Sequence, residues 1–386
     1  MSDLIFNDIV IWQKSSTALL LTLLAMLLLI PLARRLQLLD YPAGRKDHAT
    51  PTPVVGGLAI GTGIIATTCF YQLNDGGLSQ EFLAYAAASV VLLITGQLDD
   101  KYDLPWWLRI CTQILAALIT TVWGDVRAEQ IGSLFGTTPV SLGAWSIPFT
   151  IFATVGLINA LNMVDGMDGF AGSVALTALL MVGAAAVYSG NAPLVSDIAT
   201  ICGALISFLY FNFRFPWRTR AKAFLGNGGS AFLGFTVAWV VFRLTQTPGH
   251  PVTPTLAIWL IPVPLIDCLV LMIHRMRRGT SPFKADHNHI HHLMRDAGVS
   301  PMRTAAIVCA FSLLVGLAAA LTLRANFSDA PLIIAFTGIL LLWYWLTAKR
   351  ERALSLLRTL SNGRVRNNRG NSSEKVRSVS LERDVH

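Results

Sequence analysis

The stretch NALNMVDGMDG (159–169) sets two asparagines and the carboxylates of Asp165 and Asp168 between two long apolar runs. A charged side chain left in hydrocarbon costs roughly 2.5 to 3.5 kcal/mol on insertion scales, so these groups belong at a membrane face or in a wet cavity. Gly166 and Gly169 allow the backbone to turn tightly there. Taken alone, such a segment is more simply a polar turn joining two helices. Other loops of the chain change that reading.

Asp99 and Asp100 directly follow an apolar run, with Asp103 a turn later and Pro105 opening the next run. Adjacent carboxylates repel, and holding them together takes a cation or a raised pKa. An isolated pair of this kind caps a helix in solvent. Beside a second acidic loop it suits a divalent ion on a phosphorylated substrate, because magnesium binds through one or two carboxylates plus substrate phosphates. The segment from Phe224 to Ser230, FLGNGGS, opens another apolar run behind Arg214, Arg218, Arg220 and Lys222. Glycines at a helix start let backbone N–H groups approach phosphate oxygens. In the 274–298 loop, His287, His289, His291 and His292 crowd behind Arg275, Arg277, Arg278 and Lys284. Histidine-rich tracts also bind transition metals, but cationic neighbours disfavour a further dication and favour a pyrophosphate. Asp267, inside the run IPVPLIDCLVLMIH, is either a functional group or the partner of a polar group on a neighbouring helix.

The elements that position these groups are membrane spans. The chain has 386 residues, 53% hydrophobic and only 13% charged, against about 25% charged in soluble domains. A spanning helix needs about 20 mainly apolar residues, and the sequence predicts an all-α polytopic membrane protein of about eleven such helices. Their approximate limits are 16–33, 54–73, 82–98, 105–123, 145–160, 170–188, 194–212, 230–246, 254–274, 304–323 and 330–348. The first run ends at Pro31-Leu-Ala-Arg-Arg without a small-residue cleavage site and reads as a retained anchor. Lys and Arg concentrate in the loops after odd-numbered spans and in the tail. The positive-inside rule then puts the amino terminus outside and the carboxy terminus in the cytoplasm, with every unusual polar loop on the cytoplasmic face. The net charge of +8 is therefore a topology signal, and no soluble basic domain exists to hold nucleic acid. The five cysteines lie in or beside apolar runs without CxxC spacing, which suggests neither a disulfide framework nor a zinc site. Residues 1–348 form the expected membrane domain. Residues 349–386 form a basic cytoplasmic tail predicted to be disordered and to adhere to anionic lipid.

With these residues in view, the chain resembles the polyprenyl-phosphate N-acetylhexosamine-1-phosphate transferases (glycosyltransferase family 4), in particular the bacterial undecaprenyl-phosphate alpha-N-acetylglucosaminyl branch. The likeness covers residues 16–348, and its elements occur in family order: the D-Y-P…R-K-x-H…P-x-V-G-G loop, G-x-L-D-D-x-x-D, N-A-x-N-M-V-D-G-x-D-G, F-x-G-x-x-G-S and S-P-F-x-x-D-x-x-H-I-H-H. The H-I-H-H form is similar to the GlcNAc-phosphate branch and differs from the branch that loads the muramoyl-pentapeptide precursor of peptidoglycan. The resemblance implies transfer of GlcNAc-1-phosphate from UDP-GlcNAc to undecaprenyl phosphate with Mg2+ or Mn2+, yielding GlcNAc-diphosphate-undecaprenol and UMP. That step begins a lipid-linked glycan such as O-antigen at the bacterial inner membrane; the family pattern is also compatible with a homodimer. By position, Asp99 and Asp100 would orient or deprotonate the lipid phosphate. Asn162 and Asn227 would hold the metal with them. Asp165 and Asp168 would serve nucleotide and catalytic geometry. Phe224 would lie near the uracil and Lys46 near phosphate, while Arg278, His289, His291 and His292 would contact the sugar diphosphate.

One position departs from the family pattern, which ordinarily carries aspartate where this chain has Asn227. An amide oxygen still coordinates a metal but brings no charge. A natural variant, an inactivated relative and an engineered substitution all fit this sequence. Three other functions are weighed against the transferase: the same reaction on another UDP-N-acetyl-sugar, a transporter for a polyprenyl-linked sugar, and a silent scaffold. A transporter should show broken helices and charges near the bilayer midplane and polar features on both faces. A silent scaffold would bind UDP-sugar without turnover.

Overall fold

Pro262 and Pro264 sit in the middle of the ninth apolar run, and proline removes a helical N–H and clashes with the preceding turn. The run breaks there: α9 (Pro254–Leu260) and α10 (Pro262–Arg277) meet at 92° around Ile261. The break is apolar, since Leu260 and Ile261 are buried in the core, and it carries none of the polar groups a transporter site would place there. Beyond it, Asp267 and Arg275 of α10 both meet His289.

The computed structural model describes residues 2–41, 50–133, 138–215, 217–218, 220–246, 251–281, 289–324 and 328–358. Helices α1 (Ser2–Arg35), α2 (Gly56–Asn74), α3 (Gln80–Tyr102), α4 (Trp106–Leu118), α5 (Ser146–Val164), α6 (Phe170–Tyr188), α7 (Ala192–Asn212) and α8 (Gly226–Thr245) precede the bent pair. After it come α11 (Ile290–Asp296), α12 (Pro301–Arg324), α13 (Asp329–Thr347) and α14 (Arg350–Arg358). Strands β1 (Leu39–Asp40) and β2 (Thr52–Pro53) form a small antiparallel ladder. All eleven expected spans coincide with helix, but among the described residues nine are long and apolar enough to cross a membrane, or ten with the bent pair as one span. The expected span at 54–73 is helical as α2 without meeting that test.

Helix α8 is the centre of the bundle, packed against α2, α3, α5 and α6, with Phe232, Phe235, Val237, Val240 and Leu244 all buried. Lipid tails are as apolar as leucine, so helices in a membrane associate through close packing of small residues. Gly57 of α2 meets Gly229, and Gly96 of α3 meets Gly228; a Cβ on Gly96 would stand 2.0 Å from the Gly228 Cα. These contacts seat the first turn of α8 between α2 and α3. Membrane-buried polar atoms need internal partners, and the Tyr85 hydroxyl finds one in Thr236 at 2.9 Å. At the opposite end of the bundle, Arg243 pairs with Glu81 and Asp197, and Asp329 accepts from Ser133 N and Thr253. The tail expected from residue 349 begins as α14, whose Ala353 and Leu357 are buried against the short helix α11. Residues 359–386 lie outside the described residues.

Candidate active site

The glycine contacts of α8 decide where its polar residues go. Gly226 has φ +80°, a left-handed turn open to glycine, and its missing Cβ leaves room for Asp100 Oδ2. The Asn227 N–H then donates to both carboxylate oxygens of Asp100, at 3.1 and 3.0 Å. The Asn227 side chain donates through Nδ2 to Asp99 Oδ2 at 2.8 Å. Asn162, in the last turn of α5, donates to Asn227 Oδ1 at 3.4 Å and to the Ser230 hydroxyl at 2.8 Å. Asp99 also accepts from Leu104 N at 2.9 Å and from Arg109 at 3.2 Å. The acidic pair, the asparagine turn and the glycine corner are thus one hydrogen-bonded unit built from α3, α5 and α8.

The second acidic loop closes over this unit. Asp165 is the C-cap of α5; burial, then the nearby Asp100 and Asp168 charges, pushes its carboxyl up to about 7. Asp168 accepts from Arg214 Nε at 2.7 Å, and Asn212 bridges the loops by accepting from Gly169 N at 2.7 Å and donating to Ala223 O at 2.9 Å. Phe224 is held by its backbone to β2 and to the start of α2: its N–H donates to Pro53 O at 2.8 Å and its carbonyl accepts from Gly56 N at 3.0 Å. Opposite, the His291 and His292 rings lie 4.1 Å apart, and the missing Cβ of Gly166 makes room for the His291 ring.

Two cavities meet here. One, of 310 Å³, reaches from Asp99, Asn162 and Asn227 past Arg275 and the three histidines to an apolar side that includes Leu92 and Trp106. The other, of 740 Å³, runs from Asp100 and Asp168 to Arg214, Phe224 and Arg295. Asp165, Gly166, Asn227 and His292 line both. Each volume lies within the roughly 300–1,000 Å³ common for small-ligand sites.

Residues 82–245 match the family model described as glycosyl transferase family 4. The undecaprenyl-phosphate alpha-N-acetylglucosaminyl 1-phosphate transferase of Escherichia coli (strain K12) is 32% identical over 343 residues, 88% of this chain and 91% of the relative. The enzyme of the same name from Escherichia coli O157:H7 is 31% identical, with 88% of this chain and 91% of the relative covered. That from Haemophilus influenzae is 32% identical over 277 residues, 72% of this chain and 77% of the relative. The chain belongs to glycosyl transferase family 4.

The described parts of the family motifs, which leave out 42–49 and 282–288, meet at one end of this family 4 bundle, with two qualifications. Arg278 lies at the exposed C-cap of α10 and lines neither cavity. Arg275, almost one helical turn earlier and buried, stands in the cavity wall in its place. Lys46 and His287 lie outside the described residues. Three groups carry no role in the sequence reading: Arg109, Asn212 and Asp40, the last the aspartate of the D-Y-P motif, which lines the larger cavity. Arg109 carried a readable signal, as a charge inside an apolar run. Asn212 carried none, because its partners lie in two other loops. Among the described residues no three His, Cys, Asp or Glu side chains cluster as a metal site. The carboxylates and amides Asp99, Asp100, Asn162 and Asn227 on the walls of the two cavities are a hard-oxygen set that suits magnesium.

Proposed function

We propose that this chain transfers GlcNAc-1-phosphate from UDP-GlcNAc to undecaprenyl phosphate on the cytoplasmic side of a bacterial inner membrane, starting a lipid-linked glycan. The observation that carries this reading is the junction of two cavities at one acidic and amide-lined wall, in a chain whose relatives bear that activity in their names. Two substrates that react phosphate to phosphate need such an arrangement. The smaller cavity has an apolar side suited to a polyprenyl phosphate, and the larger offers Phe224 and Arg214 to a nucleotide.

In the reaction, a phosphate oxygen of the lipid attacks the sugar-bearing phosphorus of UDP-GlcNAc. The bond from that phosphorus to the bridging oxygen breaks, and UMP leaves with the bridging oxygen. Asp99 and Asp100 orient the lipid phosphate, and one of the two accepts its proton. Asp99 is held for this by Leu104 N, Arg109 and Asn227, and Asp100 by the Asn227 N–H. Asp168, paired with Arg214, fixes the wall that the nucleotide meets, with Asp165 between the two substrates. His292, which lines both cavities, faces the sugar diphosphate, with His289 and His291 behind it in the wall of the smaller cavity, Phe224 near the uracil and Lys46 near a phosphate. A bound Mg2+ or Mn2+, held by Asp99, Asp100, Asn162 and Asn227, would supply charge stabilisation on the departing phosphate. Positioning and charge complementarity are the main contributions a protein makes to phosphoryl transfer.

The test is release of UMP from UDP-GlcNAc that requires added undecaprenyl phosphate and divalent metal, with the lipid product identified by mass. Asp100→Asn is expected to abolish it. Normal turnover in that variant would remove the acidic pair from the mechanism. Product formed only from a different UDP-acetamido sugar would replace the donor assignment.

A further inference from the structure

Asp267 has no place in the chemistry above, yet it is among the most enclosed charged groups in the protein, 2% exposed in α10. A buried carboxylate requires partners that satisfy it, and both its oxygens have them. Oδ1 accepts from the Ile290 N–H at 3.1 Å, and Oδ2 lies 2.9 Å from Nδ1 of His289. His289, itself 4% exposed, meets an Arg275 guanidinium nitrogen with its other ring atom, Nε2, at 3.2 Å. A guanidinium has donors and no acceptor, and an ionised carboxylate has acceptors and no donor. The imidazole between them must therefore accept at Nε2 and donate at Nδ1. Asp267, His289 and Arg275 form a line of alternating roles in which one carboxylate offsets one guanidinium through a neutral ring. Its two outer members come from the same helix, and the bend at Ile261 sets where that helix runs.

We propose that Asp267 is a positioning residue: it locks His289 in the Nδ1–H tautomer and through that ring holds Arg275 in the wall of the smaller cavity, ready for the phosphates. The link to phosphates rests on the transferase reading, whereas the tautomer does not. The test is nitrogen-15 NMR of histidine-labelled full-length protein in lipid nanodiscs, with the His289 signals identified by their loss in His289→Gln. The expected wild-type spectrum has a protonated Nδ1 and an unprotonated Nε2. In Asp267→Asn the ring and Arg275 both come loose, so the proton becomes shared between the two nitrogens, and kcat/KM for undecaprenyl phosphate, the substrate of the smaller cavity, falls roughly a hundredfold. Asp267→Glu recovers part of both. A proton on Nε2 in the wild type overturns the proposal without any variant. So does an unchanged His289 spectrum in a folded Asp267→Asn protein, even if turnover is lost, because a purely structural residue would behave that way. If wild-type protein releases no UMP with any UDP-sugar, the transferase reading fails while the spectra still decide the role of Asp267.

Discussion

Replacing Asn227 by aspartate tests the electrostatics of the junction most directly. In the present chain Asn227 Nδ2 donates to Asp99 Oδ2 at 2.8 Å, a bond to a charged group worth about 1.5–3 kcal/mol. An aspartate would turn a carboxylate oxygen to the same place. Two unit charges about 4 Å apart repel by roughly 4 kcal/mol at an effective dielectric constant of about 20. Arg109 offsets only part of this, because its side chain is 40% exposed and therefore screened. Protonation of one carboxyl limits the penalty, so metal-free Asn227→Asp is expected to be less stable by about 2–4 kcal/mol. A divalent cation reverses the sign, since the same two carboxylates then face a shared positive charge. The variant should bind Mg2+ at least about tenfold more tightly, which corresponds to about 1.4 kcal/mol, and turn over faster at limiting Mg2+. The assay is unfolding of purified protein in detergent with chelator and across a Mg2+ titration, alongside UMP release at the same concentrations. Equal stability in chelator together with an unchanged Mg2+ midpoint would refute the placement of residue 227 against Asp99 as a metal-binding pair.

Two further outcomes follow from the packing and from the buried loop. Gly96→Ala would put a methyl group 2.0 Å from the Gly228 Cα, so α3 and α8 must separate at a cost of about 1–3 kcal/mol, carrying Asn227 away from the acidic pair. Gly156→Ala is its control, because that position opens onto free space; thermal unfolding and turnover should both fall in the first and neither in the second. The Asp165 carboxyl is raised from 3.8 to about 7. The native state therefore holds a proton that the unfolded chain has released between those two values. That contribution to stability is complete below the unfolded value and is lost as pH rises toward 7. Metal-free protein should be less stable at pH 8 than at pH 5 by chemical denaturation, and Asp165→Asn should flatten the profile. An equally steep profile in the variant would reject the assignment.

Much of the candidate site was legible because its members are expensive in a membrane. Asp99, Asp100, Asp165 and Asp168 stand out against hydrocarbon-compatible neighbours, and a chain that retains them must give them a wet or paired setting. The helices were legible for the same reason, through the length of their apolar runs. The broken ninth span was readable only as two prolines, whose 92° consequence depends on how α9 and α10 pack. Arg278 and Arg275 are indistinguishable in composition and separated by three positions. Only the face of α10 turned toward the cavity selects Arg275.

From the amino-acid order alone came the membrane class, the positions of the spans, the motifs and the departure at residue 227, because burial of apolar length and the cost of charge act locally along the chain. The tertiary structure decided which side chains touch. Glycine contacts seat α8 against α2 and α3, and this seating turns the Asn227 amide onto Asp99 and its N–H onto Asp100. The bend at Ile261 sets Asp267 under His289. The hydrogen bonds among those meetings join residues 22 to 128 positions apart, a distance over which hydropathy and spacing carry no information and only the packing of helices does.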